Sequence, residues 1–317
     1  MSFQIVGTGR STPALVLTND MISQIVDTDD EWITSRTGIK SRFISTDETV
    51  EDLATEATKR ALESAGIDGH EIDLIICSSF HGEYLSPSLS CLIQRNIGAS
   101  CPAFDINAAC TGFVYGLDVA DAYFSSGKAE TILVIAAEVM TRHIDWSDGS
   151  TCVLFGAGAG AVVLKKGKGL KSIKITAKGD DNLLTIGSVF CESPFAKQPK
   201  IDPNFRMQGS EVFKFAVTSI IKDVKSVMKE AGITASDVKM LVPHQANSRF
   251  FQIVMDKLGF KEDQVALGID HYGNTSSASI PLMLDELMEE GKLSSGDIIV
   301  LTAFGGGLTS GACVIEI

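Results

Sequence analysis

The sequence predicts an α/β fold built from two similar halves, on three observations. Strand-like and helix-like patterns alternate along the whole chain, and no low-complexity linker interrupts them. Strand runs such as DLIICSS (73–79) and TILVIAAE (131–138) are almost continuously apolar, as in sheets covered on both faces. The second half also echoes the first. AGIDGHEIDLII (65–76) matches AGITASDVKMLV (231–242), 166 residues later. SGKAETILVIAA (126–137) resembles EGKLSSGDIIVLTA (290–303), and FGAGAGAVVL (155–164) resembles FGGGLTSGACVI (304–315). Three matched segments in one order point to an internal duplication joined near KKGKGLKS (165–172), giving halves 1–168 and 169–317. A binding site is expected where such halves meet.

Composition bounds the function classes. A chain of 317 residues, 44% hydrophobic and 21% charged, can bury a large core. No apolar run approaches the length of a membrane span, and MSFQIVGTGR lacks the basic and apolar blocks of a signal peptide. Seven cysteines, an odd number without close Cys or Cys/His pairs, suggest free thiols in a reducing cytoplasm and no metal site. The net charge of -13 argues against nucleic-acid binding. An acidic or phosphorylated partner needs a local basic patch on this surface.

The chemistry is concentrated in residues 101–128. A strand-like run (Pro102, Ala103, Phe104, Ile106) breaks over Asn107, Ala108 and Ala109. Phe113, Val114, Leu117, Val119, Ala120 and Phe124 then recur at helical spacing, and the helix ends near Gly127 and Lys128. Cys110 thus sits where a strand hands over to a helix, a position whose dipole stabilises a thiolate nucleophile. The plainer reading of a cysteine is a small core hydrophobe. That reading suits Cys77, Cys152 and Cys313 in or beside strand runs, and Cys91 in a helical one. In the second half, ligands at carboxyl ends of strands select further candidates. These are His244 after strand 238–243, Asn274 after the run QVALGID, and Phe304 to Gly307 after strand 298–303. Singly, such residues more often serve as a structural histidine, an N-cap and a tight turn. His70, His81 and His143 match no motif, and His271, close to Asn274, takes no assigned role.

Taken together, DINAACTGF, VPHQAN, YGNTSSAS and AFGGG resemble the β-ketoacyl-acyl carrier protein synthase III family, condensing enzymes with a thiolase-like fold that prime fatty-acid synthesis. The resemblance runs from IVGTGR and TDDEWITSRTGI to the last strand. It implies a layered αβαβα arrangement of two duplicated halves with central mixed sheets and buried helices. It also implies a Cys, His, Asn triad at Cys110, His244 and Asn274, with an oxyanion hole from the backbone N–H groups of Cys110 and Gly306. A thiolate both attacks a thioester and leaves again readily, and two neutral donors can hold the enolate left by malonyl decarboxylation. Thiolases that condense without decarboxylation carry a second cysteine in the glycine-rich loop. Here that loop reads AFGGGLTSG, and Cys313 lies later, which favours a decarboxylating donor.

Ligand residues follow from the same resemblance. Trp32, Arg36 and Arg249 correspond to coenzyme A-binding positions, and Lys214, Arg249 and Lys257 to a carrier-protein docking patch. Arg249 and Lys257 fall on one predicted helix. Two positions depart from the family. A second adenine-stacking arginine is expected near Asp148 to Thr151, where the chain reads SDGST. Ser86 stands where a bulky aromatic from the partner subunit often closes the acyl pocket, although Tyr84 or Leu85 can refill it. The resemblance implies a homodimer acting on acyl-coenzyme A and malonyl-acyl carrier protein, with no metal or redox cofactor. The alternatives are a thiolase-fold acyltransferase to another acceptor, a secondary-metabolism condensing enzyme, and a non-catalytic carrier-protein partner. The last is disfavoured by retention of Cys110.

Overall fold

Two mixed sheets enclose a pair of helices and are themselves covered by helices on their outer faces. The structure is a computed structural model that describes residues 2–80, 82–189, 194, 195, 197 and 200–317, so His81 and Cys191 lie outside the described residues. The principal strands are β1 (Ser2–Ser11), β2 (Leu74–Ser78), β3 (Ala103–Ile106), β4 (Thr131–Val139) and β5 (Ala157–Gly167), then β6 (Leu170–Asp180), β7 (Met240–Pro243), β8 (Ile298–Gly305) and β9 (Gly307–Glu316). The principal helices are α1 (Asp30–Thr37), α2 (Val50–Ala65), α3 (Leu89–Asn96), α4 (Gly112–Ser125), α5 (Gly209–Ala231), α6 (Arg249–Leu258) and α7 (Ser279–Glu289). None is long and apolar enough to cross a membrane.

The duplication is visible in the pairing. The first sheet runs β1-β5-β4-β2-β3 and the second β6-β9-β8-β7. In both, the first two contacts are antiparallel and the third parallel. The matched sequence segments fold alike. Both α2 and α5 end in Ala-Gly, with Gly66 (φ 65°) and Gly232 (φ 70°) left-handed, a conformation glycine adopts without Cβ strain. A short 3-10 turn with a capping box follows each, Asp68 with Glu71 and Thr234 with Asp237, and leads into β2 or β7.

Burial follows the layers. The outer face of the first sheet packs on α2 through Leu53, Ala57, Ile75 and Ile135, and the outer face of the second packs on α5 and α6 through Ile220, Val224, Phe250 and Val300. Between the sheets lie α4 (Phe113, Leu117, Phe124) and α7 (Ile280, Leu282, Leu284), one from each half. Their apolar residues face sheets on both sides, so these helices are hydrophobic around much of their circumference.

The two sheets differ at one place. Among the described residues, β3 has no counterpart strand in the second sheet, where Val265 makes a single parallel bridge to Leu241 of β7. The sequence expectation that Asn274 follows a strand is therefore corrected. QVALGID supplies that bridge and a one-turn helix, Ile269–Tyr272, and Asn274 follows Gly273. Cys91 is likewise corrected: it lies on α3 as expected but is exposed, with its sulfur 3.8 Å from the Ala103 carbonyl. Cys77, Cys152 and Cys313 are buried.

Candidate active site

Cys110 lies in the 3-10 turn Ala109–Thr111 that joins β3 to α4. Ala109 adopts φ 49°, a left-handed conformation that strains a residue with a Cβ and turns the chain sharply into the helix. Thr309 of β9 fastens this turn: its hydroxyl donates to the Ala108 carbonyl (3.1 Å) or the Gly306 carbonyl (2.8 Å) and lies 2.9 Å from the Thr111 hydroxyl. Gly305 packs against the nucleophile itself, for a Cβ there would stand 2.8 Å from the Cys110 nitrogen. Burial pushes the Cys110 thiol up to about 12, against the pull of the Ser276 hydroxyl and the backbone N–H. The thiolate stabilisation expected at a helix start is thus outweighed by desolvation, and the resting group is the thiol.

His244 follows β7, its backbone N–H donating to Thr302 (2.8 Å). Its ring is 2% exposed, stands edge-on to Phe304 at 5.4 Å, and has Nδ1 2.7 Å from the Ser279 hydroxyl. Burial pushes it down to about 3, so the imidazole is neutral at physiological pH. Asn274 is held by backbone bonds to Leu154 and Gly156 (both 2.9 Å). Its Oδ1 accepts the Ser276 N–H (2.9 Å), which leaves the amide –NH2 as the end available to a ligand. Cys110, His244 and Asn274 all line one cavity of about 590 Å³. The same cavity is bordered by Phe304, Gly305 and the apolar side chains of Leu184, Phe205 and Met207.

The chain is similar to known proteins in sequence and in fold. A family profile described as 3-Oxoacyl-[acyl-carrier-protein (ACP)] synthase III matches residues 104–180, and its C-terminal companion matches residues 228–317. The "Beta-ketoacyl-[acyl-carrier-protein] synthase III" of Clostridium beijerinckii is 44% identical over 99% of both chains. The crystal structure of 3-oxoacyl-[acyl-carrier-protein] synthase III from Aquifex aeolicus superposes with a TM-score of 0.93 at 43% identity, covering 99% of this chain and all of that one. The chain belongs to the β-ketoacyl-[acyl-carrier-protein] synthase III family. It is an acyltransferase of the condensing type, on a thiolase-like fold, of the kind that initiates fatty-acid synthesis. A priming β-ketosynthase from the R1128 polyketide pathway shares the architecture, with a TM-score of 0.94 at 34% identity over 100% of this chain and 96% of that one.

The outer residues that the synthase III resemblance singles out fall at different distances from the triad. Trp32 and Arg36 on α1 border the cavity, together with Arg249 at the start of α6 and Lys214 on α5. All four are exposed, which marks the cavity mouth. The Arg36 guanidinium sits over the Trp32 ring, 4.8 Å from its centroid, so one face of the indole is already stacked. Lys214 is paired with Glu211 at 2.7 Å. Lys257, two turns further along α6, is exposed and is not among the residues lining this cavity. Gly306 borders a second depression beside Ala108 and Ala109, which shares Phe80 and Leu184 with the cavity lined by Cys110. Ser86 is exposed in the loop before α3, beside Tyr84 and Leu85 (91% exposed), and does not line the cavity of its own chain.

Three residues of the site escaped the sequence reading. Arg206 reaches to 3.8 Å from Asp148, so an arginine stands near SDGST although none is there in sequence. Ser276, at φ 53°, directs its hydroxyl to the Cys110 sulfur at 3.4 Å. Glu138, 3% exposed near the end of β4, accepts from the Ser277 hydroxyl (2.7 Å) and the Phe80 N–H (3.2 Å). Ser276 lies within the motif YGNTSSAS, which gives no sign that it meets Cys110, and Glu138 stands in an apolar run with no motif around it. Outside this site, among the described residues, Asp68, His70 and Glu71 form one exposed cluster of metal-ligand type.

Proposed function

We propose that Cys110 takes an acyl group from acyl-coenzyme A and delivers it, by decarboxylative Claisen condensation, to a malonyl-acyl carrier protein. The convergence of a thiol, a neutral imidazole and an Asn amide on one apolar cavity carries this reading. In the first half-reaction the Cys110 sulfur attacks the thioester carbonyl and coenzyme A leaves. The backbone N–H groups of Cys110 and Gly306 are assigned to the tetrahedral oxyanion. In the second, malonyl decarboxylation places charge on a thioester oxygen, which His244 Nε2–H and the Asn274 amide hold. The Nε2–H donor this step needs belongs to the tautomer in which the Ser279 hydroxyl donates to Nδ1 instead of to the Ser276 carbonyl 3.0 Å away. The enolate carbon then attacks the acyl carbon, and the Cys110 sulfur leaves. The reading needs no metal or redox group.

Trp32 and Arg36 are assigned to the nucleotide end of coenzyme A, with Arg249 for phosphate. Arg206 is assigned to the place where the family's second arginine is missing, now supplied by a different stretch of chain. Lys214, Arg249 and Lys257 are read as docking residues for the acidic carrier protein. We read the protein as a cytoplasmic homodimer whose loop through Tyr84, Leu85 and Ser86 closes the partner's acyl pocket, and residues 1–168 and 169–317 as its two duplicated halves. The polyketide-priming reading is retained because of the likeness to the R1128 enzyme.

The test is intact-protein mass after brief exposure to acyl-coenzyme A thioesters of increasing length, followed by malonyl-acyl carrier protein. A mass gain that is absent in Cys110→Ala and is discharged by the malonyl donor into a 3-ketoacyl product supports the reading. An acyl-enzyme that malonyl donor leaves intact makes the chain an acyltransferase to another acceptor. The preferred chain length reports on the Ser86 position and on the polyketide alternative.

A further inference from the structure

Cys110 rests as a buried thiol, so its proton must go somewhere before the sulfur can attack. Water is a poor acceptor in an apolar cavity, and His244 is unsuited because burial strongly disfavours its charged form. One group near the sulfur suits the task and has no part in the condensation described above. The Ser276 hydroxyl lies 3.4 Å from the Cys110 sulfur and 3.5 Å from Glu138 Oε1, bridging the two. The second spacing is long for an O–H···O bond, as catalytic hydrogen bonds often are before substrate arrives.

We propose that Glu138 is the reservoir for the Cys110 proton, reached through the Ser276 hydroxyl. As the sulfur attacks the acyl thioester, the thiol proton passes to Ser276 Oγ while the Ser276 proton passes to the Glu138 carboxylate. The carbon to sulfur bond of coenzyme A breaks, and its thiolate takes a proton from solvent. Glu138 stays protonated through the life of the acyl-enzyme. When condensation expels the Cys110 sulfur as thiolate, the proton returns by the same hydroxyl. Over one cycle one solvent proton is consumed, one carbon dioxide is released, and no redox partner enters.

Three features besides proximity support this role. Ser276 is held at φ 53°, a strained conformation for a serine, and that conformation aims its hydroxyl at the sulfur. Glu138 is buried without an ion pair among the described residues, an expensive placement that a glutamine could spare while still accepting from Ser277 and Phe80. Its surroundings make it hold a proton readily: burial pushes it up to about 8, against the hydroxyls of Ser277 and Ser276 and the Phe80 N–H. The ionisable groups it influences are the thiols of Cys77 on β2 and Cys110 before α4. Segment 276–278 presents only the neutral Ser276 and Ser277, and Gly158 lies opposite Glu138 on β5.

The inference rests on Cys110 being the nucleophile, and the test separates the two. Rapid-quench acylation by acyl-coenzyme A, read by intact mass from pH 6 to 10, is compared in wild type, Glu138→Gln and Ser276→Ala. Wild-type acylation should rise with pH as Glu138 ionises, because only the carboxylate accepts the proton. Both variants should acylate roughly 10²-fold more slowly at neutral pH. They should also lose that inflection, their rates climbing only at the higher pH where an isolated buried thiol ionises. Variants as fast as wild type overturn the relay alone. So do slower variants that keep the wild-type inflection, since a packing defect lowers the rate without moving a titration. Absence of acylation in wild type overturns the nucleophile and the relay with it. If Glu138→Gln fails to fold, Ser276→Ala leaves the carboxyl and its bonds to Ser277 and Phe80 in place and decides the matter.

Discussion

Two ionisable side chains a short way from the Cys110 sulfur are shifted in opposite senses by the same cause, and this has a consequence for stability. Burial pushes His244 down to about 3 and Glu138 up to about 8. The folded imidazole stays neutral while an unfolded one binds a proton below 6.5, so its contribution to stability is lost as pH falls from 6.5 towards 3. The folded carboxyl keeps a proton that an unfolded one releases above 4.5, so its contribution is lost as pH rises from 4.5 through 8. Between 4.5 and 6.5 the two trends cancel, and outside that window each acts alone. Urea unfolding across pH should show that Glu138→Gln flattens the alkaline decline and His244→Gln flattens the acid one, each by at most about 1.4 kcal/mol per pH unit. Unchanged slopes in both variants would refute the assignment. At this scale the residues that meet at the cavity, Cys110, His244 and Asn274, were legible, because each stands inside a distinctive motif. Glu138 and Ser276 were not, because their roles depend on a juxtaposition of segments 138 residues apart that no local pattern encodes.

Among elements, the glycine turn after β8 and the helix α1 show how scaffold sets chemistry. Gly305→Ala would place a methyl 2.8 Å from the Cys110 nitrogen, and neither a strand end nor a 3-10 turn can yield cheaply. We expect a loss of about 1–3 kcal/mol in stability and a slower acylation burst, measured by thermal unfolding and quench flow. α1 is fixed from behind by a buried polar chain. Arg42, fully buried, donates to Asn19 Oδ1 (2.7 Å) and the Val153 carbonyl (2.6 Å), and Asn19 Nδ2 donates to Asp30 (2.7 Å) and the Ile39 carbonyl (2.8 Å). Asn19→Ala leaves these partners unsatisfied, at a cost of about 1–3 kcal/mol. Because α1 carries Trp32 and Arg36, KM for acyl-coenzyme A should rise several-fold while decarboxylation of malonyl donor is little affected. Equal loss of both would point to general unfolding. The strands and helices of the repeated segments were readable from apolar runs and Ala-Gly helix ends. The loop carrying Asn274 was misread, since its apolar QVALGID looks like a strand and becomes a single bridge.

On the whole molecule, a net charge of -13 repels acidic macromolecules at long range, so the carrier-protein docking proposed above requires local cations such as those at the cavity mouth. Arg249→Glu should lower kcat/KM for malonyl-acyl carrier protein about tenfold or more at low salt, and added salt should narrow the gap; a salt-independent effect would argue against docking. The duplicated architecture was legible because both halves repeat the same helix end, turn and strand in the same order. The placement of Arg206 beside Asp148 was not, because it arises from the path of the chain between the halves. The difference in strand number between the two sheets takes on another meaning. Strict twofold symmetry would repeat every loop and yield two equivalent, incomplete pockets. By giving up its fifth strand, the second copy releases residues 266–278 from the ladder, and that freed span carries Asn274 and Ser276 across to the first copy's thiol. Redundancy in the scaffold is thereby exchanged for a division of labour: one repeat contributes the reacting sulfur and the buried carboxyl of Glu138, and the other contributes His244, Asn274 and Ser276.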